Sequence, residues 1–207
     1  MSKITYFYSA TSGFAYIGSK QLLHISSAAG YQIEHKPFDL ELLINAIGSQ
    51  RREDRTLANR NYFLKRELER WSEFRGVSIM KHIPTFFKES TRIANRILIS
   101  GLVANCNIDQ LSHAMMENLW LHDRNLSEQK VLEDIIKSVD LDPDVLINGS
   151  KSDDVADIYE SNTMKAISNP IFGSPTYFVG DDMFFGQDRL ELVERAIETP
   201  FSFRFAQ

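Results

Sequence analysis

The stretch KITYFYSATSGFAYIGSKQLL, Lys3 to Leu23, decides the fold. Its first part, Lys3 to Tyr8, is rich in β-branched and aromatic residues and predicts a strand. Phe14, Ile17, Gly18, Leu22 and Leu23 fall near helical spacing and predict an amphipathic helix. Between the two lies Ser9-Ala10-Thr11-Ser12-Gly13, small and hydroxyl-rich. A strand that feeds a helix through such a turn leaves the helix's first N–H groups without intrahelical partners. That end carries partial positive charge and favours an anion, a thiolate included. Ser12 falls at its mouth. From this stretch alone two roles fit Ser12: an N-cap for its own helix, or a catalytic hydroxyl.

Outward from this stretch, the helix is expected to run to about Ala29, with Gly30 as its stop. Tyr31 to Phe38 alternates, with Tyr31, Ile33 and His35 on one face and Gln32, Glu34 and Lys36 on the other. It predicts a second strand with Pro37 near its end. Strand, helix, strand with a short return is a βαβ unit, so the strands are expected to be parallel with a right-handed crossover.

Asp39 begins a different regime. Leu40, Leu42, Leu43, Ile44 and Ile47 predict a short helix ending at Gly48. Ser49 to Asn59 is charged and poor in apolar residues, the usual mark of a solvated loop. Phe63, Leu64, Leu68, Trp71 and Phe74 stripe a helix over Arg60 to Arg75, closed by Gly76. His82 to Phe87 reads as an irregular connector. Thr91 to Asp140 reads as helix throughout, striped by Ile93, Ile97, Leu98, Leu102 and Val103, then by Leu111, Ala114, Met115, Leu119 and Trp120, then by Val131, Leu132, Ile135 and Ile136. Such Met and aromatic positions are expected in the core. Asp142-Pro143 reads as a cap with a first-turn proline, and Asp153 to Ser168 as the last helix of the block.

Asn169 to Pro175 breaks the helix. Thr176 to Val179 and Met183 to Phe185 predict a hairpin around Gly180-Asp181-Asp182. Gly186-Gln187-Asp188 is expected to cap a final helix, Arg189 to Ile197, with Asp188 as its N-cap. The tail with Phe201, Phe203 and Phe205 shows no period. The order is therefore βαβ, a long helical block, then ββα. This is an α/β arrangement, the thioredoxin fold split by an all-helical insertion: residues 1–40 and 169–207 form the thioredoxin-like domain and 41–168 the insertion. In such a fold the active residue sits in the turn after the first strand, at Ser12, and a proline precedes the third strand, at Pro175.

Composition limits the function. The 207 residues carry 23 basic and 28 acidic side chains, a net charge of −5. There is no basic surplus to neutralise phosphates, so nucleic acid is not an expected partner. No apolar run reaches the ~18 residues that span a bilayer, and no signal peptide is visible, so the expected location is the cytosol. Cys106 is the one cysteine. It excludes a CxxC redox pair and an internal disulfide, and a buried or half-buried structural thiol is expected. The five histidines show no HxxxH or HExxH spacing, and no metal site is expected.

Three motifs carry a resemblance: YFYSATSGFAYIG near the start, FGSPTYFVG and FFGQDRLELVERAI near the end. With a moderate match in FLKRELERW, nearly the whole chain resembles the DsbA-like branch that holds 2-hydroxychromene-2-carboxylate isomerases and kappa-class glutathione transferases. The chain departs from that pattern at Gly13, where the family has proline. The resemblance implies glutathione as cofactor, with Ser12 donating a hydrogen bond to its sulfur. It implies a cis bond before Pro175, with the Ser174 backbone N–H and C=O pairing with the cysteinyl backbone as an added strand would. It places Gln187 and Asp188 at the γ-glutamyl end, and Arg60 and Asp54 at further glutathione contacts. It implies a homodimer and a small-molecule substrate.

The activity expected is glutathione-dependent isomerisation of 2-hydroxychromene-2-carboxylate, an aromatic-derived acid, with kappa-class-like glutathione transfer as the alternative. A reading from another class is a non-catalytic thioredoxin-fold module that binds glutathione or a peptide strand. The cysteine count argues against a dithiol oxidoreductase.

Overall fold

The computed structural model describes residues 2–51, 53–87 and 91–202. The expectation for Phe203 and Phe205 in the tail lies outside these residues. Four strands form one sheet in the order β2-β1-β3-β4. They are β1 (Lys3–Tyr8), β2 (Gln32–Pro37), β3 (Thr176–Val179) and β4 (Asp182–Phe185). β1 and β2 are parallel, while β3 runs antiparallel to both β1 and β4. The crossover between β1 and β2 is α1 (Gly13–Ala29), which ends at Gly30 in the left-handed conformation, φ 66°.

β1 is central because both its faces are apolar. Ile4, Tyr6 and Tyr8 are buried on one side, and Tyr6 stacks between Tyr8 and Tyr177 with ring centroids 4.1 and 5.3 Å away. Phe7 points the other way, against Phe38 and Phe178. A strand buried on both faces reads as a continuous apolar run rather than an alternating one. The larger core lies on the Tyr6 face and joins α1 and the C-terminal helix α10 (Leu190–Glu198) to helices of the long central block. The smaller core on the Phe7 face holds Phe38, Leu43, Ala166 and Ile171.

The central block contains α2 (Leu40–Ala46), α3 (Leu57–Asn61), α4 (Glu67–Arg75), α5 (Thr91–Val103), α6 (Asp109–Trp120), α7 (Gln129–Lys137), α8 (Pro143–Gly149) and α9 (Asp153–Ser168). Between α3 and α4, Tyr62–Arg66 forms a π-helical turn. The stretch after Gly48 is thus only partly a loop: Thr56 caps α3 by accepting from Asn59 N–H at 3.2 Å. In α5 the expected stripe is offset. Ile93 and Val103 are exposed, whereas Ala94, Asn95, Ile97, Leu98 and Ser100 are buried.

Buried Asn95 explains the offset, because its amide serves backbone groups that no strand pairs. Its Oδ1 accepts from Ala10 N–H at 2.8 Å and its Nδ2 donates to Phe38 O at 3.0 Å. Asn162 of α9 donates to Pro37 O at 3.1 Å, and Thr163 Oγ1 accepts from Asp39 N–H at 3.0 Å. The exits of β1 and β2 are therefore satisfied by side chains of the inserted helices, as buried backbone requires. His35 of β2 adds a third tie, with Tyr8 Oη 3.0 Å from its Nδ1 and Asp109 Oδ1 2.8 Å from its Nε2. Cys106 is half-buried and unpaired with any other cysteine. Among the described residues no helix is long and apolar enough to cross a membrane.

Candidate active site

The turn from β1 into α1 is built by hydroxyls. Ser12 takes an extended conformation (φ −75°, ψ 118°), and its Oγ accepts from Ala15 N–H at 3.2 Å. The capping role is real. The same hydroxyl has one proton, and it donates to Ser174 O at 3.1 Å. Ser174 and Pro175 are joined by a cis peptide bond, as expected. Ser174 Oγ in turn accepts from Ser9 N–H at 3.0 Å, and Ser9 O accepts from Ser12 N–H at 3.0 Å. Ser9, Ser12 and Ser174 therefore close a ring of hydrogen bonds between the first turn of α1 and the loop before β3.

Gly13 follows, where a side chain has no room. A Cβ built on it would lie 2.7 Å from the Trp120 ring. Trp120 cannot step aside: it is buried, its Nε1 donates to Thr11 O at 2.9 Å, and Phe87 meets its ring at 80° with centroids 5.7 Å apart. The departure from proline at this position thus has a packing cause on α6. Trp120 is a core residue, as its helical stripe predicts, and also part of the site.

Ser12, Gly13, Trp120 and Ser174 share a cavity of about 690 Å³. Its other walls come from α1 (Phe14), α2 (Leu40, Ile44), the π-helical turn (Phe63, Leu64) and the loop before β3 (Pro170 to Gly173). The π-helical turn widens the helix by one residue, and the adjacent Phe63 and Leu64 both line the cavity. Phe63 packs on Phe14 with ring centroids 5.1 Å apart. The surface is mostly apolar; Ser12 and Ser174 contribute polar lining side by side, and among the described residues the one charged side chain lining it is Arg55.

The remaining expected site residues are not gathered on this cavity. Gly186 N–H donates to Pro175 O at 2.9 Å, which sets the 3-10 turn Gln187–Arg189 next to the cis bond. Gln187 is buried there, and Arg75 holds it: Arg75 Nε donates to Gln187 Oε1 at 3.0 Å and Nη2 to Gln187 O at 2.9 Å. Arg75 also pairs with Glu191, and this contact holds the Glu191 carboxyl below its ordinary range. Gln187 Nε2 has no hydrogen-bond partner among the described residues. Asp188 does not cap α10. It lies inside the 3-10 turn, and its carboxylate pairs with Arg189 at 2.6 Å. The 3-10 turn Gln187–Arg189 moves the helix start from the expected Arg189 to Leu190, so that Arg189, and not Asp188, stands at the cap position. Arg60 lies in the last turn of α3 with its Nε buried and without a partner among the described residues, and Asp54 is exposed and 3.6 Å from Arg51. Neither lines the cavity. Arg55 and the π-helical turn escape sequence reading: the first sits in a charge run, and the second breaks the 3.6-residue period.

A strand–turn–helix that brings a serine to a cis-proline loop, in a βαβ…ββα sheet, defines a thioredoxin-fold protein with no cysteine at its active turn. The chain belongs to the DSBA-like thioredoxin domain family, whose model matches residues 3–198. It is 24% identical over 194 residues to a 2-hydroxychromene-2-carboxylate isomerase of Pseudomonas sp. (strain C18), covering 94% of this chain and 89% of the relative. Its fold is similar to a solved 2-hydroxychromene-2-carboxylate isomerase (TM-score 0.77, 22% identity, 94% of each chain). It is also similar to the cytosolic disulfide reductase DsbM from Pseudomonas aeruginosa with GSH (TM-score 0.64, 11% identity, 96% of this chain and 93% of that one).

Proposed function

We propose that the protein is a glutathione-dependent isomerase of an aromatic-derived acid of the 2-hydroxychromene-2-carboxylate kind, the substrate in its curated relatives' names. The observation that carries this reading is Ser12 Oγ, at the N-terminus of α1 and 3.1 Å from the carbonyl before cis-Pro175, on a largely apolar 690 Å³ cavity.

The residues present fit a bound thiol tripeptide. The helix end and hydroxyl suit a thiolate, and the buried, unpartnered Gln187 Nε2 and Arg60 Nε are donors awaiting acceptors. Ser174 and Pro175 would face the cysteinyl backbone and Gln187 and Asp188 the γ-glutamyl end, with Arg60 and Asp54 as further contacts. When bound, glutathione supplies a thiolate that adds reversibly to the substrate and leaves unchanged.

Ser12 exchanges its hydrogen bond to Ser174 O for one to the anion, and so stabilises the charge without moving its Cα. The aromatic walls, Trp120, Phe63 and Phe14, hold a flat substrate and keep water away, which strengthens each polar contact at Ser12. The family's dimeric assembly is part of the same reading.

The test is turnover of 2-hydroxychromene-2-carboxylate with and without glutathione, in wild type and Ser12→Ala. Conversion that requires glutathione, does not consume it and falls by on the order of 10²-fold or more in Ser12→Ala supports the reading. Consumption of glutathione makes the protein a transferase instead. Glutathione binding with no turnover of any thiol-reactive substrate makes it a binding module.

A further inference from the structure

The cavity beside Ser12 has one feature that the sulfur chemistry does not use. Its walls are mostly apolar, and among the described residues no Asp or Glu lines it and Arg55 is the one charged side chain that does. In a chain of net charge −5, a chamber whose described lining carries a positive charge alone is a local reversal of sign.

Arg55 is held in place by its own loop. Gln50 O accepts from Arg55 Nε at 3.4 Å, and Gln50 Nε2 donates to Asp54 O at 3.0 Å, closing the turn from both sides. Thr56 then caps α3. The guanidinium lies over the Phe63 ring, 5.0 Å from its centroid, at the π-helical turn. The neighbouring carboxylate, Asp54, is engaged by Arg51. Among the described residues Arg55 has no carboxylate partner.

A guanidinium presents five N–H donors in a planar fork, and among the described residues only Nε finds a hydrogen-bond acceptor here. The free edge matches a carboxylate taken bidentately. Stacking on Phe63 fixes the plane of that fork, and the apolar walls make the resulting ion pair stronger than one on open surface.

We propose that Arg55 receives a carboxylate in the Ser12 cavity, so that the cavity takes a molecule with a flat apolar body and an anionic head. This deepens, and rests on, the reading of that cavity as the place where substrate meets the Ser12 turn. The carboxylate comes either from the substrate or from glutathione itself, and the two sources separate by experiment.

Calorimetric titration of the full chain with trans-cinnamate and with cinnamamide, its neutral counterpart, measures the preference for the anion. Titration with glutathione measures the other source. The variants are Arg55→Leu, which removes the charge, and Arg55→Lys, which keeps charge but loses the fork; their melting temperatures report folding. Wild type is expected to prefer cinnamate on the order of tenfold, as for a hydrogen bond to a charged group. Arg55→Leu abolishes this preference and Arg55→Lys retains part of it.

If Arg55→Leu abolishes the cinnamate preference and leaves glutathione affinity unchanged, the carboxylate is the substrate's. If it weakens glutathione and leaves the cinnamate preference alone, the carboxylate is the tripeptide's. An unchanged cinnamate preference together with unchanged glutathione affinity overturns the proposal. None of these readouts needs turnover, so failure of the isomerase reading shows separately, as absent conversion with the anion preference intact.

Discussion

Gly13 lies so close under the Trp120 indole that a Cβ on it would sit 2.7 Å from the ring. One residue belongs to the turn that carries Ser12 and the other to an inserted helix more than a hundred positions later. Gly13→Ala is therefore expected to destabilise the fold by about 1–3 kcal/mol through overpacking. Gly13→Pro, whose ring adds further atoms beyond a Cβ, is expected to be at least as costly. Combining Gly13→Ala with Trp120→Leu should cost less than the sum of the single changes. A double-mutant cycle from urea denaturation measures this coupling, and strict additivity would refute it.

Ser12 caps α1 through Ala15 N–H and also bonds Ser174 O. Ser12→Ala loses both, and loss of the cap alone costs about 1 kcal/mol. For a chain of this length the expected fall in Tm is about 2–4 °C per kcal/mol. A drop far beyond this range would mean that loss of activity in the variant reports unfolding and not chemistry.

Asn95 bridges Ala10 N–H and Phe38 O from a fully buried position. Asn95→Leu strands a buried donor and a buried acceptor, each costing about 1–3 kcal/mol. The variant should lose several kcal/mol of stability in denaturant titration. Asn95→Asp can still accept from Ala10 N–H, but it sets a buried carboxylate against the Phe38 carbonyl, so it should be no more stable than Asn95→Leu near neutral pH.

Glu34 gives a pH dependence. Its partial burial opposes ionisation, yet hydrogen bonds from Lys3 and Thr5 together with Lys36 outweigh this and hold its pKa at about 2, below an ordinary 4.5. A depressed carboxyl pKa contributes stability that is present above pH 4.5 and lost as pH falls towards 2. After allowance for solvent screening the contribution is about 1 kcal/mol. Glu34→Gln should be less stable than wild type by this amount at pH 7, with the gap closing between pH 4.5 and 2. Parallel denaturation curves at a series of pH values check it.

How much of this was legible follows from where the signal lies. β1, α1, Gly30 and the β3–β4 hairpin are written in local pattern, because each residue's role is set by near neighbours. Ser12 and Pro175 follow from the order of the elements, but the cis bond needed a resemblance, since no spacing rule distinguishes it from a trans proline at a strand start. The offset face of α5 was hidden because Asn95, a polar residue, takes a core position to serve Ala10 and Phe38. The start of α3 was hidden by Thr56 capping inside a charged run. Asp188 looked like a cap because the 3-10 turn at Gln187–Arg189 leaves no trace in composition. Arg55 looked like any solvated arginine, and only the folded cavity distinguishes it from Arg51 next to Asp54.

The ring closed by Ser9, Ser12 and Ser174 joins segments from opposite ends of the chain, whereas Phe63, Leu64 and Arg55 are contributed by a separate stretch of the middle. The hydroxyl ring and this wall of the cavity are thus written in different parts of the gene. Substitutions along positions 49–68 can reshape that wall without touching the ring, so the two can drift independently under selection.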